Sequence, residues 1–281
     1  KWNDMKLFII YGMLTEEKFY EKAEKFALFT NTDGKQFTFD EYKEIIKENQ
    51  TDKENKLIYL YATNKEQQYT YIEAAKAKGY DVLLMDGQLD PHYINHLEQK
   101  FEDSSFIRVD SDIIDNIIKK DIKVESKLTP EQKEDLVPVF DARLTTNVAN
   151  FNVTFEDLEE TDSPVIITQN EFMRRMKDMS ALGGGMNFYG DLPDSYNLVV
   201  NSNHPLITTI MNAKDKSVGT KVQKVTEEIT PFNEEKLALD KLKEGKNDEE
   251  IDQLEKDKRV EVEKQIETLN NKKQEILSGF G

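Results

Sequence analysis

Apolar positions are densest between Lys56 and Phe101, and their rhythm changes within that stretch. Leu57-Ile58-Tyr59-Leu60-Tyr61-Ala62-Thr63 is an unbroken run of β-favouring residues, which predicts a strand buried on both faces. Asn64 stands where a helix N-cap oxygen is wanted, and the pattern predicts a helix from Lys65 to about Lys78. Gly79 ends it, because glycine enters the left-handed conformation without strain. Val82-Leu83-Leu84-Met85 then predicts a second buried strand, and the helical crossover makes it parallel to the first. Past the acidic turn Asp86-Gly87-Gln88-Leu89-Asp90, Tyr93, Ile94 and Leu97 fall at helical spacing. The stretch is a βαβ unit followed by an amphipathic helix.

On the N-terminal side, Phe8, Tyr11, Phe19, Phe26 and Phe29 recur at roughly helical spacing and predict helices over residues 1 to about 50. Asp33-Gly34 marks a turn there, and Thr38 or Asp40 caps a helix holding Tyr42, Ile45 and Ile46. Residues 110–128 alternate charged and small apolar positions and read as the approach to a linker. At Thr129-Pro130-Glu131 an N-cap residue, a proline at the first helical position and an acid in the first turn announce a new helix. Strands follow at Phe151–Phe155, Val165–Thr168 and Tyr196–Asn201, with a Met-rich helix from about Asn170. From Lys221 to Leu277 charges dominate over a thin apolar stripe that Gly245-Lys246-Asn247-Asp248 interrupts, the pattern of a helical hairpin. The predicted fold class is α/β (α+β) in two domains, 1–122 and 129–281, joined by a linker at 123–128, with the hairpin at about 221–277.

Composition narrows the partners. The formal charge of -17 repels phosphate backbones and anionic lipid headgroups, which argues against nucleic acid and membrane surfaces. Cysteine is absent, which excludes a disulfide framework and thiol catalysis and suits a reducing compartment. No run approaches the roughly 18 consecutive apolar residues of a membrane helix, and the expected location is cytoplasmic. The chain opens on Lys1 in the middle of helical periodicity, as a piece of something longer would.

The strand-to-helix turn Ala62-Thr63-Asn64-Lys65-Glu66 has no glycine to bring backbone against a pyrophosphate, so the dinucleotide reading of βαβ fails there. The best binding signal is Glu171–Met179, where Phe172, Met176 and Met179 stand at i, i+4 and i+7. Methionine repacks around many apolar partners, which suits a promiscuous surface, although the same stripe would equally dock a helix on its own sheet. Gly183-Gly184-Gly185 then leads into Met186-Asn187-Phe188-Tyr189; it follows a helix and lacks the lysine of a phosphate loop. His92 and His96 lie four apart on a helix but lack the glutamate of a metalloprotease motif. Asp110-Ser111-Asp112 reads as a helix cap ahead of Ile113-Ile114. No catalytic set assembles.

The words "LIYLYATN", "KGYDVLLMDGQLD" and "HYINHLEQKF" resemble the end of the middle domain in the heat-shock protein 90 chaperone family, especially its bacterial HtpG type. "FALFTNTDGKQFTFDEYKEII" and "NSNHPLI" resemble further segments of the same family. The resemblance implies the late middle domain and most of the C-terminal domain, with the charged hairpin as an insertion of some bacterial members. It implies a chaperone that binds unfolded or partly folded client proteins and hydrolyses ATP with Mg as a homodimeric clamp. The ATP-binding domain, the arginine that reaches the γ-phosphate and the terminal pairing helices would all lie outside this segment. No catalytic residue, cofactor or metal site is therefore expected here, and the segment alone is expected to associate weakly. The implied client-binding residues are Phe172, Met173, Met176, Met179, Met186, Phe188 and Tyr189, with His92 and Tyr93 on a second helix, where this chain has Pro91-His92 in place of the Glu-Trp of other members. The implied partners are clients, the protein's own N-terminal ATPase domain and a second copy. Two readings from other classes stand beside this one: a nucleotide- or sugar-phosphate-processing α/β enzyme using the Asn64 turn and Asp86–Asp90, and a coiled-coil structural protein whose working part is residues 221–277.

Overall fold

Leu57, Tyr59 and Tyr61 join one apolar cluster and Ile58, Leu60 and Ala62 join another, so the strand they share lies between two layers. In the computed structural model this strand is β3 (Leu57–Ala62), buried along its whole length. The structure describes residues 1–120, 124–144, 149–171, 174–175, 194–243 and 252–280. The chain divides into two units, the first formed by Lys1–Lys123, Val148–Asn150 and Ile166–Asn197, the second by Val124–Asn147, Phe151–Val165 and Leu198–Gly281.

In the first unit, helices α1 (Trp2–Thr15) and α2 (Glu17–Ala23) lead into the short strands β1 (Leu28–Thr30) and β2 (Gln36–Thr38). These pair antiparallel, so the helical expectation for residues 1–50 fails over this hairpin. Asn31 explains it: its Oδ1 accepts the Asp33 and Lys35 N–H groups at 3.1 and 3.0 Å, while Gly34 takes φ 79°. Thr38, not Asp40, caps α3 (Phe39–Ile46), in a reciprocal capping box with Glu41.

The βαβ unit is present with different boundaries. Asn64 Oδ1 accepts the N–H groups of Glu66 and Gln67, and the Gln68 side-chain oxygen Oε1 accepts those of Thr63 and Asn64. The cap therefore closes a separate turn, and α4 (Tyr69–Ala77) begins four residues later than the spacing predicts. Gly79 ends it with φ 78°. The next strand, β4 (Leu83–Leu84), is only two residues long, and past α5 (Asp90–Lys100) comes β5 (Ser104–Arg108), which the apolar pattern did not announce. The sheet order is β4-β3-β5, with both neighbours parallel to β3. Tyr59 and Phe106 stack at its centre, ring centroids 4.6 Å apart. On the other face, Ile117 and Ile118 of the short helix α6 (Ile114–Ile117) and its exit are buried with Val82 and Val109. That part of residues 110–128 is packed structure. Asp112 accepts the Ile113 N–H, yet the helix itself has no side-chain cap.

The second unit opens with α7 (Pro130–Asp141), where Thr129 and Gln132 form the capping box and Pro130 begins the helix. Strands β6 (Ala149–Glu156), β7 (Val165–Thr168) and β8 (Asp194–Asn201), each with residues assigned to both units, are hydrogen-bonded in the order β6-β8-β7. Helix α8 runs from Pro205 to Lys243 without a break at residue 221, and α9 (Gln253–Ser278) returns beside it. Leu136, Val139, Leu198, Val200, Ile207, Met211, Val222 and Leu277 share one core. The turn residues Gly245–Asp248 lie outside the described residues.

Candidate functional site

Where the Met-rich segment begins, the structure places a compact ionic cluster against the first unit's sheet. Glu171 Oε1 accepts from Tyr61 Oη at 3.0 Å, Arg174 Nη2 at 2.8 Å and Arg175 Nε at 2.6 Å. Arg174 Nη2 also donates to Tyr61 Oη at 2.6 Å, with its guanidinium 5.9 Å from that ring's centroid. Arg175 extends to Glu98 of α5, Nη1 to Oε2 at 2.7 Å, and to the Phe106 carbonyl of β5. Arg175 thus donates through Nε, Nη1 and Nη2, whereas Arg174 donates to both Tyr61 and Glu171 through Nη2.

Burial pushes the Glu171 carboxyl up, but the charges and hydrogen bonds of Arg174 and Arg175 outweigh it and hold the carboxyl below its ordinary range. Burial likewise opposes the Arg175 charge, and Glu98, Tyr61 and Glu171 overcome it, so Arg175 binds its proton more tightly than usual. The Tyr61 hydroxyl is raised by burial and by Glu171. Glu171 and Arg175 therefore stay charged, and Tyr61 neutral, at neutral pH. The cluster borders a small recess with Met85, Pro91 and Ile94 as apolar wall and Thr63, Asn95 and the two arginines as polar rim.

Of the residues nominated from sequence, His92 is exposed beside Pro91 at the start of α5. Tyr93 is not available to a client: it is 4% exposed and its hydroxyl points at the Met13 sulfur, 3.6 Å away. One helical step inverts the two faces, since 100° of rotation carries position 93 from solvent into the core. Phe172, Met173, Met176, Met179, Met186, Phe188 and Tyr189 lie outside the described residues. His96 packs edge-on against Tyr20, ring centroids 5.0 Å apart. The groups of the enzyme reading are engaged structurally: Asn64 closes its turn, and Asp90 is buried against Lys6 and the Gly87 N–H.

The sequence reading passed over Glu171, Arg174, Arg175, Glu98 and Tyr61. A local signal existed in the i, i+4 pair Glu171 and Arg175, which stabilises a helix by itself; their distant partners had none.

A family model described as Hsp90 protein matches residues 2–230. The chain belongs to the Hsp90 protein family. Among its relatives, a chaperone protein HtpG of Bacteroides fragilis is 49% identical over 281 residues, covering 100% of this chain and 41% of the relative. A chaperone protein HtpG of Porphyromonas gingivalis is 49% identical over 252 residues, covering 89% of this chain and 37% of the relative. The chain thus spans about two-fifths of the length of the curated relatives it matches. The family model ends at residue 230, within α8, whereas the Bacteroides relative aligns over all 281 residues, hairpin included. Among solved structures, the middle domain of a Plasmodium falciparum heat shock protein is similar over 40% of this chain and 46% of its own, at 23% identity and a TM-score of 0.32.

Proposed function

We propose that this chain is a client-contacting segment of an ATP-dependent, homodimeric chaperone of the Hsp90 family, with its first unit the end of the middle domain and its second most of the C-terminal domain. Family membership and the HtpG relatives support the chaperone class. ATP and Mg act in an N-terminal domain elsewhere in the protein, and the cytoplasm is its place of work; among the described residues no helix is long and apolar enough to cross a membrane.

The observation that carries the client reading is the anchoring of Glu171, Arg174 and Arg175 beside α5. Glu171, Arg174 and Arg175 belong to the same stretch of sequence as Phe172, Met173, Met176 and Met179, and the two arginines line a recess whose wall includes Pro91, the neighbour of exposed His92, which supports treating the two nominated stretches as one surface. The family resemblance assigns Met186, Phe188 and Tyr189 to the same client-binding set, and Tyr93 lies in the core. Adaptable apolar side chains hold non-native proteins there, and the acidic surroundings keep the complex soluble.

The test is the triple substitution Phe172→Ser, Met176→Ser, Met179→Ser. Binding of a reduced, carboxymethylated model protein should weaken while the melting transition stays intact, because exposed apolar groups contribute little to folding. A collapsed transition, the mark of cavities in a core, or unaltered binding would overturn the reading.

A further inference from the structure

One carboxylate of α7 pairs with both helices of the hairpin. Asp135 Oδ2 accepts from Lys214 Nζ of α8 at 3.1 Å, and its Oδ1 stands 2.7 Å from Lys273 Nζ of α9. Lys214 is 3% exposed, Asp135 15% and Lys273 22%, so solvent and salt screen this joint far less than the open ion pairs farther along the hairpin. Half-exposed Asp215 adds a second carboxylate 3.0 Å from Lys214, so two lysines meet two aspartates. Past the end of α7, Arg143 Nη2 donates to the carbonyl of Phe280, past the end of α9, at 2.7 Å. Leu136, Val139 and Leu277, which lie between these two ties in sequence, share one apolar cluster with Ile207 and Met211 of α8. The family model stops at residue 230, so Asp135 and Lys214 fall within it and Lys273 beyond it.

We propose that Asp135 is the positioning residue of the hairpin: by holding one lysine from each helix it fixes the angle the hairpin makes with α7, so that the hairpin is a rigid arm of the second unit. The inference stands apart from the client reading above. Apolar contacts alone do not set that angle, because they are non-directional and helix packing tolerates a scatter of about 15–20°. A carboxylate that binds both helices at once removes that freedom, since neither can rotate or slide without giving up a shielded charge pair. The tie from Arg143 to Phe280 supplies the second fixed point that a direction requires. A force on the arm then reaches α7, where a loose joint would absorb it.

The chain contains no cysteine, so Glu134→Cys on α7 and Glu234→Cys on α8, both at exposed positions, accept one spin label each. Double electron–electron resonance on the whole chain then reads the distance between them. Glu234 lies about 30 Å along α8 from Lys214 at about 1.5 Å per residue, so about 15–20° of freedom at the joint moves its label by about 8–10 Å. The parent should give one narrow distribution. Asp135→Asn and Lys273→Met should each broaden it by several ångströms, whereas Lys272→Met, which removes the open pair with Glu228, should not. Lys273 is partly exposed, so its variant should melt close to the parent. That separates a freed arm from an unfolding unit, and it keeps the test decisive if Asp135→Asn fails to fold. A broad distribution in the parent, an unchanged width in Lys273→Met, or equal broadening by Lys272→Met would overturn the proposal.

Discussion

Lys6 of α1 reaches the carboxylate of Asp90 at the head of α5, Nζ to Oδ2 at 3.1 Å. Asp90 is 1% exposed and also accepts the Gly87 N–H at 2.9 Å. Burial raises its pKa, and Lys6 and Gly87 only partly offset that. A carboxyl whose folded pKa exceeds its unfolded one takes up its proton first in the native state, so its charge penalty is fully present above the folded pKa and relieved as pH falls through it. Lys6→Met should therefore destabilise the first unit by about 3 kcal/mol at neutral pH, by leaving a buried charge unpaired. Urea unfolding near pH 7 and again near pH 4.5 should show the loss shrinking in acid; an equal loss at both would refute the coupling.

Asn203 holds the entry to the second unit. Its Oδ1 accepts Lys127 N–H at 2.7 Å, and its Nδ2 donates to the carbonyls of Glu125 and Leu158 at 3.0 and 2.9 Å. Asn203→Ala leaves buried backbone groups without partners and should cost about 2–4 kcal/mol. Trypsin should then cut after Lys127 markedly faster in the variant. An unchanged cleavage rate would show that other contacts fix this segment.

Much of this fold was legible because burial on both faces writes itself as continuous apolar runs. Leu57–Ala62 needed no partner to be recognised, and Thr129-Pro130 announced α7 through backbone rules that act within four residues. What escaped notice depends on distant partners. Ser104-Ser105-Phe106-Ile107-Arg108 has one fully buried residue among five, too few to mark a strand until β3 is beside it. The β1–β2 hairpin hides behind phenylalanines whose helical spacing is accidental, and the deciding residue is Asn31, fixed by Asp81 fifty positions away. The candidate site divides the same way. The methionine stripe is visible as spacing, whereas the ionic cluster joins Tyr61 to Glu171 and Arg174, and Glu98 to Arg175, partners that only the folded chain brings together.

Phe106 serves the first unit twice, through its backbone at the sheet edge and through its ring in the core. It is 0% exposed and lies within stacking or edge distance of Tyr59, Phe29 and Phe101. Phe106→Ala should cost about 3–5 kcal/mol, the range for a buried aromatic replaced by a cavity. Phe106→Leu, which restores most of the volume, should recover over half of that loss in chemical denaturation. Equal losses for both variants would mean that aromatic geometry outweighs filling.

The hairpin of α8 and α9 changes character along its length. Toward its base Val222, Val225 and Ile229 are buried. Toward its far end, charges span the seam, with Glu235–Lys258 and Asp240–Arg259 at 2.6 Å and Lys236–Glu263 at 3.5 Å. Leu237, Leu242, Leu254 and Val260 there are 51–75% exposed. Ion pairs this open to solvent are screened by salt, since the Debye length falls to about 3 Å at 1 M, whereas apolar contacts are not. Raising NaCl from about 0.05 to 1 M should therefore speed amide exchange from Glu235 to Leu242 several-fold and leave Val222 to Ile229 nearly unaltered. Uniform acceleration along α8 would mean that the helices open as one unit, and protection rising with salt at the far end would show that Leu237 and Val260, not the ion pairs, hold it together.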